Sequence, residues 1–146
     1  MRKAFALCLL MAVVASTFGC ARAARDTLDF AVLDGAIIDA EIADAWIATR
    51  DALRKMDLDL YTRDKRGVFI AYSKMDRRLF VPHRQKYTIL LEPERDSTRI
   101  TVETVDQVYG VTLLTHPDWH DRKTTDNSTA LAIIAAVQEE AAAAAP

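Results

Sequence analysis

Cysteine is scarce in this chain of 146 residues, which contains only Cys8 and Cys20. Cys8 lies in an apolar segment at the start, so a protein that loses this segment keeps Cys20 without an intramolecular partner. This excludes a disulfide framework, the usual support of small secreted domains, and the domain must be held together by its core.

Glycine is also scarce, with four residues in the whole chain. The sequence has no glycine-rich loop of the kind that surrounds a phosphate group. Its serines do not lie in a Gly-x-Ser-x-Gly elbow, which is typical of one class of nucleophilic enzymes. We therefore expect a protein that is not an enzyme, with no cofactor and no small-molecule substrate.

Positive charge is not in excess either, since the formal net charge is −2. Loss of an N-terminal segment that contains Arg2 and Lys3 makes it about −4. A nucleic-acid-binding protein needs a basic face for phosphate contacts. The charge therefore argues against nucleic acid as a partner.

A local run of basic residues nevertheless lies in the middle of the chain. It comprises Arg63, Lys65, Arg66, Lys74, Arg77, Arg78, Arg84 and Lys86. If the two turns that contain them lie at the same end of a sheet, they form a patch suited to lipid head groups or an acidic partner. The alternative is a set of solvated hairpin ends, because Asp64 and Asp76 interrupt the run.

The first 19 residues have the composition of a secretory signal peptide. Arg2 and Lys3 precede an apolar run over residues 4–15, and small residues lead to Cys20. The run is shorter than the roughly 20 apolar residues that a membrane-spanning helix needs. It therefore predicts a cleaved signal and not a transmembrane anchor.

The segment Thr17-Phe18-Gly19-Cys20 resembles the lipobox of bacterial lipoproteins. In that family the signal is removed just before the cysteine, which then carries fatty acyl chains such as palmitate. The resemblance implies that Cys20 is lipidated and binds the protein firmly to a membrane. Ala21 stands where lipoproteins retained at the inner membrane have Asp, which implies the outer membrane, with the domain facing the periplasm. The alternative is cleavage nearby, with Cys20 as a free thiol.

Composition divides the chain into four segments. They are a lipoprotein signal peptide (1–19), a lipidated cysteine with a short tether (20–29), a single domain (30–140) and an alanine-rich tail (141–146). Alanine favours helix but buries little surface, so the tail is expected to fray.

Two amphipathic helices are predicted from apolar spacings of three and four. The first runs from Ile37 to about Met56, with the stripe Ile38, Ile42, Trp46, Thr49, Leu53 and Met56. The second begins after Asp126, where Asn127, Ser128 or Thr129 can cap it. Its expected buried residues are Leu131, Ile134 and Val137, with Ile133 beside them.

Between these helices the apolar period is two, which is typical of strands. Two hairpins are predicted, around the turns Arg63–Gly67 and Glu92–Ser97. A first strand is expected over Leu28–Leu33, Val108–Leu114 extends the last strand or forms a fifth, and His116–Asp126 is expected to be a loop. The predicted fold is α+β: an antiparallel sheet of four or five strands covered on one face by two helices, a helix-grip-like arrangement of two layers.

The stretch from Ala45 to Tyr72 resembles the repeated domain of the BamC lipoproteins, which belong to the outer-membrane β-barrel assembly machinery. The matching residues are Ala45, Trp46, Ala52, Leu53, Asp64, Gly67 and Tyr72. The later segment TALAIIAAVQ is similar to the closing helix of that family. The resemblance implies a helix-on-sheet domain, an envelope location and an accessory role in outer-membrane protein assembly.

One short cluster has metal-binding character, His116-Pro-Asp-Trp-His120-Asp121. Histidines four residues apart can share a metal ion when a helix holds them on one side, and a carboxylate can complete the site. Pro117 opposes such a helix, and an exposed loop with Trp119 packed against the domain is the alternative.

We therefore predict an envelope lipoprotein whose domain is a non-catalytic interaction module with an envelope protein partner. The alternative is a small metal-binding or hydrolytic periplasmic protein that uses His116 and His120. A structural lipoprotein without a dedicated partner is a third hypothesis.

Overall fold

A computed structural model of the chain describes residues 30–111 and 116–144. These residues form one antiparallel seven-stranded sheet and two helices. In chain order the elements are β1 (Val32–Ile38), α1 (Ile42–Lys55), β2 (Asp59–Asp64), β3 (Val68–Tyr72), β4 (Asp76–Arg78), β5 (Val81–Glu94), β6 (Ser97–Gly110), β7 (Asp118–Arg122) and α2 (Ser128–Ala144). The α+β class is confirmed, but the sheet has more strands than the four or five predicted.

The path through the sheet is β1-β6-β5-β3-β2, with β4 beside β5 and β7 beside β6. β5 and β6 each have 14 residues, so this central hairpin is about 45 Å long. The 14 residues of α1 and 17 of α2 make helices of roughly 20–25 Å. The helices can therefore cover only about half of the hairpin.

The covered half contains the core. Tyr87, Ile89 and Leu91 of β5 belong to the buried cluster under the helices, as do Ile100 and Val102 of β6. The other half consists of residues 81–86 of β5 and 105–110 of β6, together with β4 and β7, and is called the arm below.

The helices pack on the sheet and on each other largely through small residues. The buried residues are Ala45, Ala48, Thr49, Ala52 and Leu53 of α1 and Ala130, Ile133, Ile134, Val137 and Ala141 of α2. The predicted burial of Thr49, Leu53, Ile134 and Val137 is confirmed. Leu131, predicted to be buried, is 52% exposed, because Ala130 takes the inward position and allows a closer helix contact.

The first strand and first helix have different bounds from those predicted. Ile38, which the helical spacing assigns to the first helix, is the fully buried last residue of β1, and α1 begins only at Ile42. Asp34 and Gly35 interrupt the apolar residues of β1, so the sequence pattern does not predict this strand over its full length. Residues 28–29 of the predicted first strand lie outside the described residues.

Both predicted hairpin turns are confirmed. Gly67 has a φ of 97°, a conformation that glycine adopts without steric cost, and its amide donates to the carbonyl of Asp64 at 3.0 Å. In the longer hairpin Arg95 has a φ of 56°. β6 continues to Gly110, so the predicted extension of the last strand is correct as far as that residue, and residues 112–115 lie outside the described part.

Trp46 ties α1 to the β2–β3 hairpin. Its ring is half-buried, 5.3 Å between centroids from the ring of Phe69, and its Nε1 donates to the carbonyl of Asp64 at 2.9 Å. The indole therefore fills space beside the core, and its N–H group has a hydrogen-bond partner, as is usual for a tryptophan in contact with a core.

The start of α2 is held by residues just before it. The Asp126 carboxylate accepts hydrogen bonds from the backbone amide and hydroxyl of Ser128, at 3.0 and 2.7 Å. These bonds lower the pKa of Asp126. The side chain of Asn127, a predicted cap, instead donates to Asp34 Oδ1 at 2.9 Å and joins α2 to β1.

The prediction that the alanine-rich tail frays is wrong for Ala141, its first residue. Ala141 is buried and α2 continues to Ala144, because the small side chain lies against the core. Residues 145–146 lie outside the described part, as do the predicted signal peptide, Cys20 and the tether.

Candidate functional site

The two faces of the sheet differ in their cover. Alternation along β5 places Tyr87, Ile89 and Leu91 under the helices, whereas Arg84 and Leu90 point to the opposite face, which is called the open face below. The open face is not simply polar: Leu33, Ile37 and Leu90 are 61%, 43% and 38% exposed on it. The open face therefore has separate apolar side chains among its polar ones.

An aromatic row runs across the open face, from the base of the arm toward its far end. It comprises Tyr61 of β2, Tyr72 of β3, Arg84 of β5, Trp119 of β7 and Tyr109 of β6. The guanidinium carbon of Arg84 lies 3.8 Å from the ring centroid of Tyr72 and 3.9 Å from that of Trp119. Tyr61 meets Tyr72 edge-on at 5.9 Å, and Tyr109 lies 5.3 Å from Trp119.

The sheet register brings these residues together. Tyr109 and Trp119 are directly opposed on β6 and β7, a position that favours contact between aromatic rings. On the other side, the β2–β3 register shifts between Leu60 and Thr62. Such an irregularity re-aims side chains, and the ring of Tyr61 between them reaches Tyr72.

Arg84 is fixed in orientation by a chain of hydrogen bonds across three strands. Its Nε donates to Gln107 Oε1 at 2.8 Å, and Gln107 Nε2 donates to Asp121 Oδ1 at 2.8 Å. Within the described ranges no carboxylate forms an ion pair with Arg84. Its guanidinium is held between two ring faces, an arrangement that favours arginine over lysine.

A groove of about 340 Å³ opens beside the row. Its lining includes Tyr61, Tyr72, Arg84 and Trp119, with Met75 and the acidic Asp59 at its edge. Tyrosine, tryptophan, methionine and arginine are the residues enriched at protein interfaces, and the aromatic residues and arginine carry most of the binding energy there.

A second cleft, of about 400 Å³, lies on the helix side of the arm. Basic side chains such as Lys74, Arg78 and Lys123 line it together with the acidic Asp76, Asp106 and Asp126. The charges are of both signs, so the cleft does not select for a ligand of either charge. Nearby, burial raises the pKa of the Tyr87 phenol, whose hydroxyl donates to Gln85 Oε1 at 2.6 Å.

The predicted loop from His116 to Asp126 is wrong in part, because Asp118–Arg122 forms β7. Most residues of this strand are polar, so its sequence lacks the apolar alternation that predicts a strand. All five of its residues nevertheless pair with β6. Trp119 packs against the domain as the loop alternative expected, through Tyr109 and Arg84.

The two candidate metal-binding histidines do not form an assembled site. His120 lies within β7, with Nε2 3.2 Å from the carbonyl oxygen of Gly110, and His116 is exposed before the strand. Within residues 30–111 and 116–144, no group of three or more His, Cys, Asp or Glu side chains could hold a metal ion.

The basic run does not form a single patch. The turn Arg63–Gly67 lies beside Leu91. Lys74 and Arg77 lie beyond the opposite end of β3, where β4 pairs with β5. Several of these cations have acidic neighbours: Arg66 pairs with Asp64 at 2.7 Å, Lys74 with Asp57 at 3.1 Å and Arg78 with Asp76 at 3.4 Å.

Sequence reasoning identified Tyr72 and Trp119, assigned Arg84 to the basic run without its aromatic neighbours, and missed Tyr61 and Tyr109. The row joins five strands, so it depends on cross-strand register and not on spacing along the chain. One signal was present: Tyr61 and Tyr109 are large aromatic residues at positions where alternation predicts solvent exposure.

Comparison with known proteins does not assign the chain to a family. No family model matches the chain, and the search of curated proteins finds no significant match. The resemblance to the assembly-machinery lipoproteins therefore stays a prediction from the residues that carry it. Among the described helices, none is long and apolar enough to cross a bilayer.

Proposed function

We propose that this chain is a lipid-anchored envelope protein whose domain is a non-catalytic module that binds a protein partner through the aromatic row. The observation that supports the interaction role most directly is Arg84, stacked between Tyr72 and Trp119 on a face that the helices leave open. Clustered aromatic residues with an arginine are typical of an interface centre.

The fixed orientation of Arg84 suggests the chemistry of the partner. Its Nε is used by Gln107, while no described residue accepts a hydrogen bond from its Nη groups. A partner segment that offers a carboxylate or a backbone carbonyl would meet a donor already held in position, so little side-chain entropy is lost on binding. Apolar groups of the same segment would cover Tyr61, which is 75% exposed.

The location is proposed from the lipobox-like segment that ends at Cys20. Acylation there anchors the domain to a membrane, and Ala21 after the cysteine favours the outer membrane, with the domain facing the periplasm. The resemblance to the assembly machinery makes an accessory role in outer-membrane protein assembly the first partner system to test. Mass spectrometry of the mature N-terminus tests the location. We expect a chain that begins at Cys20 and carries acyl mass, and any other N-terminus, or a bare cysteine, contradicts it.

The interaction role is tested by purification of the tagged full chain from membranes. We expect a partner to co-purify in a fixed ratio, and the variant Tyr61→Ser to lose at least about 90% of it, because an interface-centre aromatic contributes about 2 kcal/mol or more. Leu131→Ser, on exposed α2 surface, is the matched control and should retain the partner. Equal recovery with both variants, or no partner with the unmodified chain, contradicts the proposal.

A further inference from the structure

The turn between β4 and β5 exposes two large apolar residues at its tip. Leu79 is 92% exposed and Phe80 is 96% exposed, and Met75 and Val81 nearby are 54% and 38% exposed. A pair of large apolar side chains with almost no protein contact is the kind of surface that marks an interaction site.

The backbone of this tip adopts a conformation that the two residues disfavour. Leu79 has a φ of 49° and Phe80 a φ of 69°. Two-residue hairpin turns with both φ angles positive are normally built from Asn and Gly, which adopt them without steric conflict. Local folding therefore does not explain why Leu and Phe occupy these two positions.

Charge next to the tip is mainly positive. Arg77 and Arg78 precede Leu79, and Arg84 follows on β5. Asp76 pairs with Arg78 at 3.4 Å, which leaves Arg77 without an ion pair among the described residues. An apolar tip flanked by arginines matches the boundary of an anionic bilayer, where apolar groups enter the acyl region and cations meet the headgroups.

The tip and the start of the domain point to the same end of the sheet. Val32 of β1 is opposite Thr104 of β6, and β6 continues from there toward Val108, which is opposite His83 near the tip. Since β1 runs antiparallel to β6, the chain before Val32 approaches from the tip side. A segment from Cys20 to Val32 can span up to about 40 Å, so a lipid at Cys20 would keep this end of the sheet within reach of the membrane.

We propose that Leu79 and Phe80 insert into the interface of an anionic membrane, with Arg77 and Arg78 at the headgroups, and give the domain a second membrane contact. The argument that this end of the sheet is near the membrane rests on the proposed anchor at Cys20. The argument from the apolar and basic residues of the tip does not. A convex tip lacks the extent and rim of a protein interface of standard size. A bilayer requires neither.

The test places a fluorophore at the tip of the full-length protein. Phe80→Trp is reconstituted into vesicles of phosphatidylglycerol and phosphatidylcholine, and its emission is compared with that of the unmodified protein, which accounts for Trp46 and Trp119. We expect the added emission to shift to shorter wavelength and to be quenched by lipids brominated on the acyl chain. Leu131→Trp, an exposed apolar site on α2, is the control and should be quenched at least threefold less.

The outcomes separate this inference from the proposed anchor. An unshifted, unquenched Phe80→Trp signal in vesicle-bound protein overturns the tip insertion and leaves the anchor standing. A quenched signal in a Cys20→Ser variant, which cannot be acylated, supports insertion independently of the anchor. A photoreactive phenylalanine at position 80 that cross-links in cells to a protein and not to lipid overturns the inference by assigning the tip a protein partner.

Discussion

The backbone amide of Leu91 donates a 2.8 Å hydrogen bond to the carbonyl oxygen of Gly67. This bond joins the β2–β3 turn to the covered half of β5. The two backbone segments lie so close that a Cβ at Gly67 would be 2.6 Å from Leu91 O. Gly67 therefore satisfies two requirements at once, a left-handed backbone and a close approach.

The first prediction follows from this contact. Gly67→Ala should lower the free energy of unfolding by about 2 kcal/mol or more, since a left-handed non-glycine residue costs roughly 1–2 kcal/mol and the backbone of Leu91 must also shift. Urea denaturation measures the loss. Gly110→Ala is the control, because its Cβ would meet only His120 Cδ2 at 3.9 Å, an ordinary contact. Equal losses in both variants would contradict the explanation.

The second prediction concerns the hydrogen bond from Trp46 to the carbonyl of Asp64. Trp46→Phe keeps a ring beside Phe69 but removes the donor and part of the volume, so we expect a loss of about 1–2 kcal/mol in unfolding free energy. Ile47→Ala is a control on the exposed side of α1, where Ile47 is 46% exposed, and should change stability less. A neutral Trp46→Phe would show that the bond contributes nothing measurable.

The third prediction is a coupling between Arg84 and Trp119. Lysine cannot stack between two rings as a guanidinium does, so a double-mutant cycle of Arg84→Lys and Trp119→Leu should give an interaction energy of about 0.5–1 kcal/mol. The same cycle between Arg84→Lys and Ile47→Ala should be additive, because Ile47 lies on α1 across the sheet. Additivity in both cycles would mean that the stacked geometry carries no energy.

The fourth prediction concerns acid stability. The hydrogen bonds from Ser128 hold the pKa of Asp126 below its usual value, so this carboxylate stabilises the fold above its unfolded-state pKa and stops doing so as the pH falls through the lower folded-state value. Asp126→Asn should therefore be less stable than the unmodified protein at pH 7.

The difference should shrink as the solution becomes acidic. Chemical denaturation of both proteins from pH 7 to pH 2 measures it, and Asp96→Asn, at an exposed turn residue, controls for the change in net charge. A stability difference for Asp126→Asn that stays constant across this range would contradict the assigned role.

Much of the covered half could be predicted from the sequence because its signals are local. Gly67 marked its turn, Thr49 and Leu53 marked the inward side of α1, and Ile134 and Val137 did so for α2. Leu131 was misassigned because hydrophobicity alone favoured it over Ala130, whereas helix packing required the smaller residue.

The arm and the aromatic row could not be predicted in the same way. β7 has the sequence DWHDR, in which polar residues on both faces hide the alternation of a strand. Arg84 and Gln107 are 23 residues apart along the chain, and only the β5–β6 register makes them neighbours. Interactions of this kind depend on which residues of two strands are paired. The sequence of either strand alone does not show them.

The length of the β5–β6 hairpin has an evolutionary consequence. The same two strands carry the hydrophobic core at one end and the surface proposed for recognition at the other. Selection can therefore change exposed residues of the arm without disturbing the hydrophobic core. Descendants of this chain are expected to keep the small helix residues that fit the sheet while the arm diversifies toward new partners.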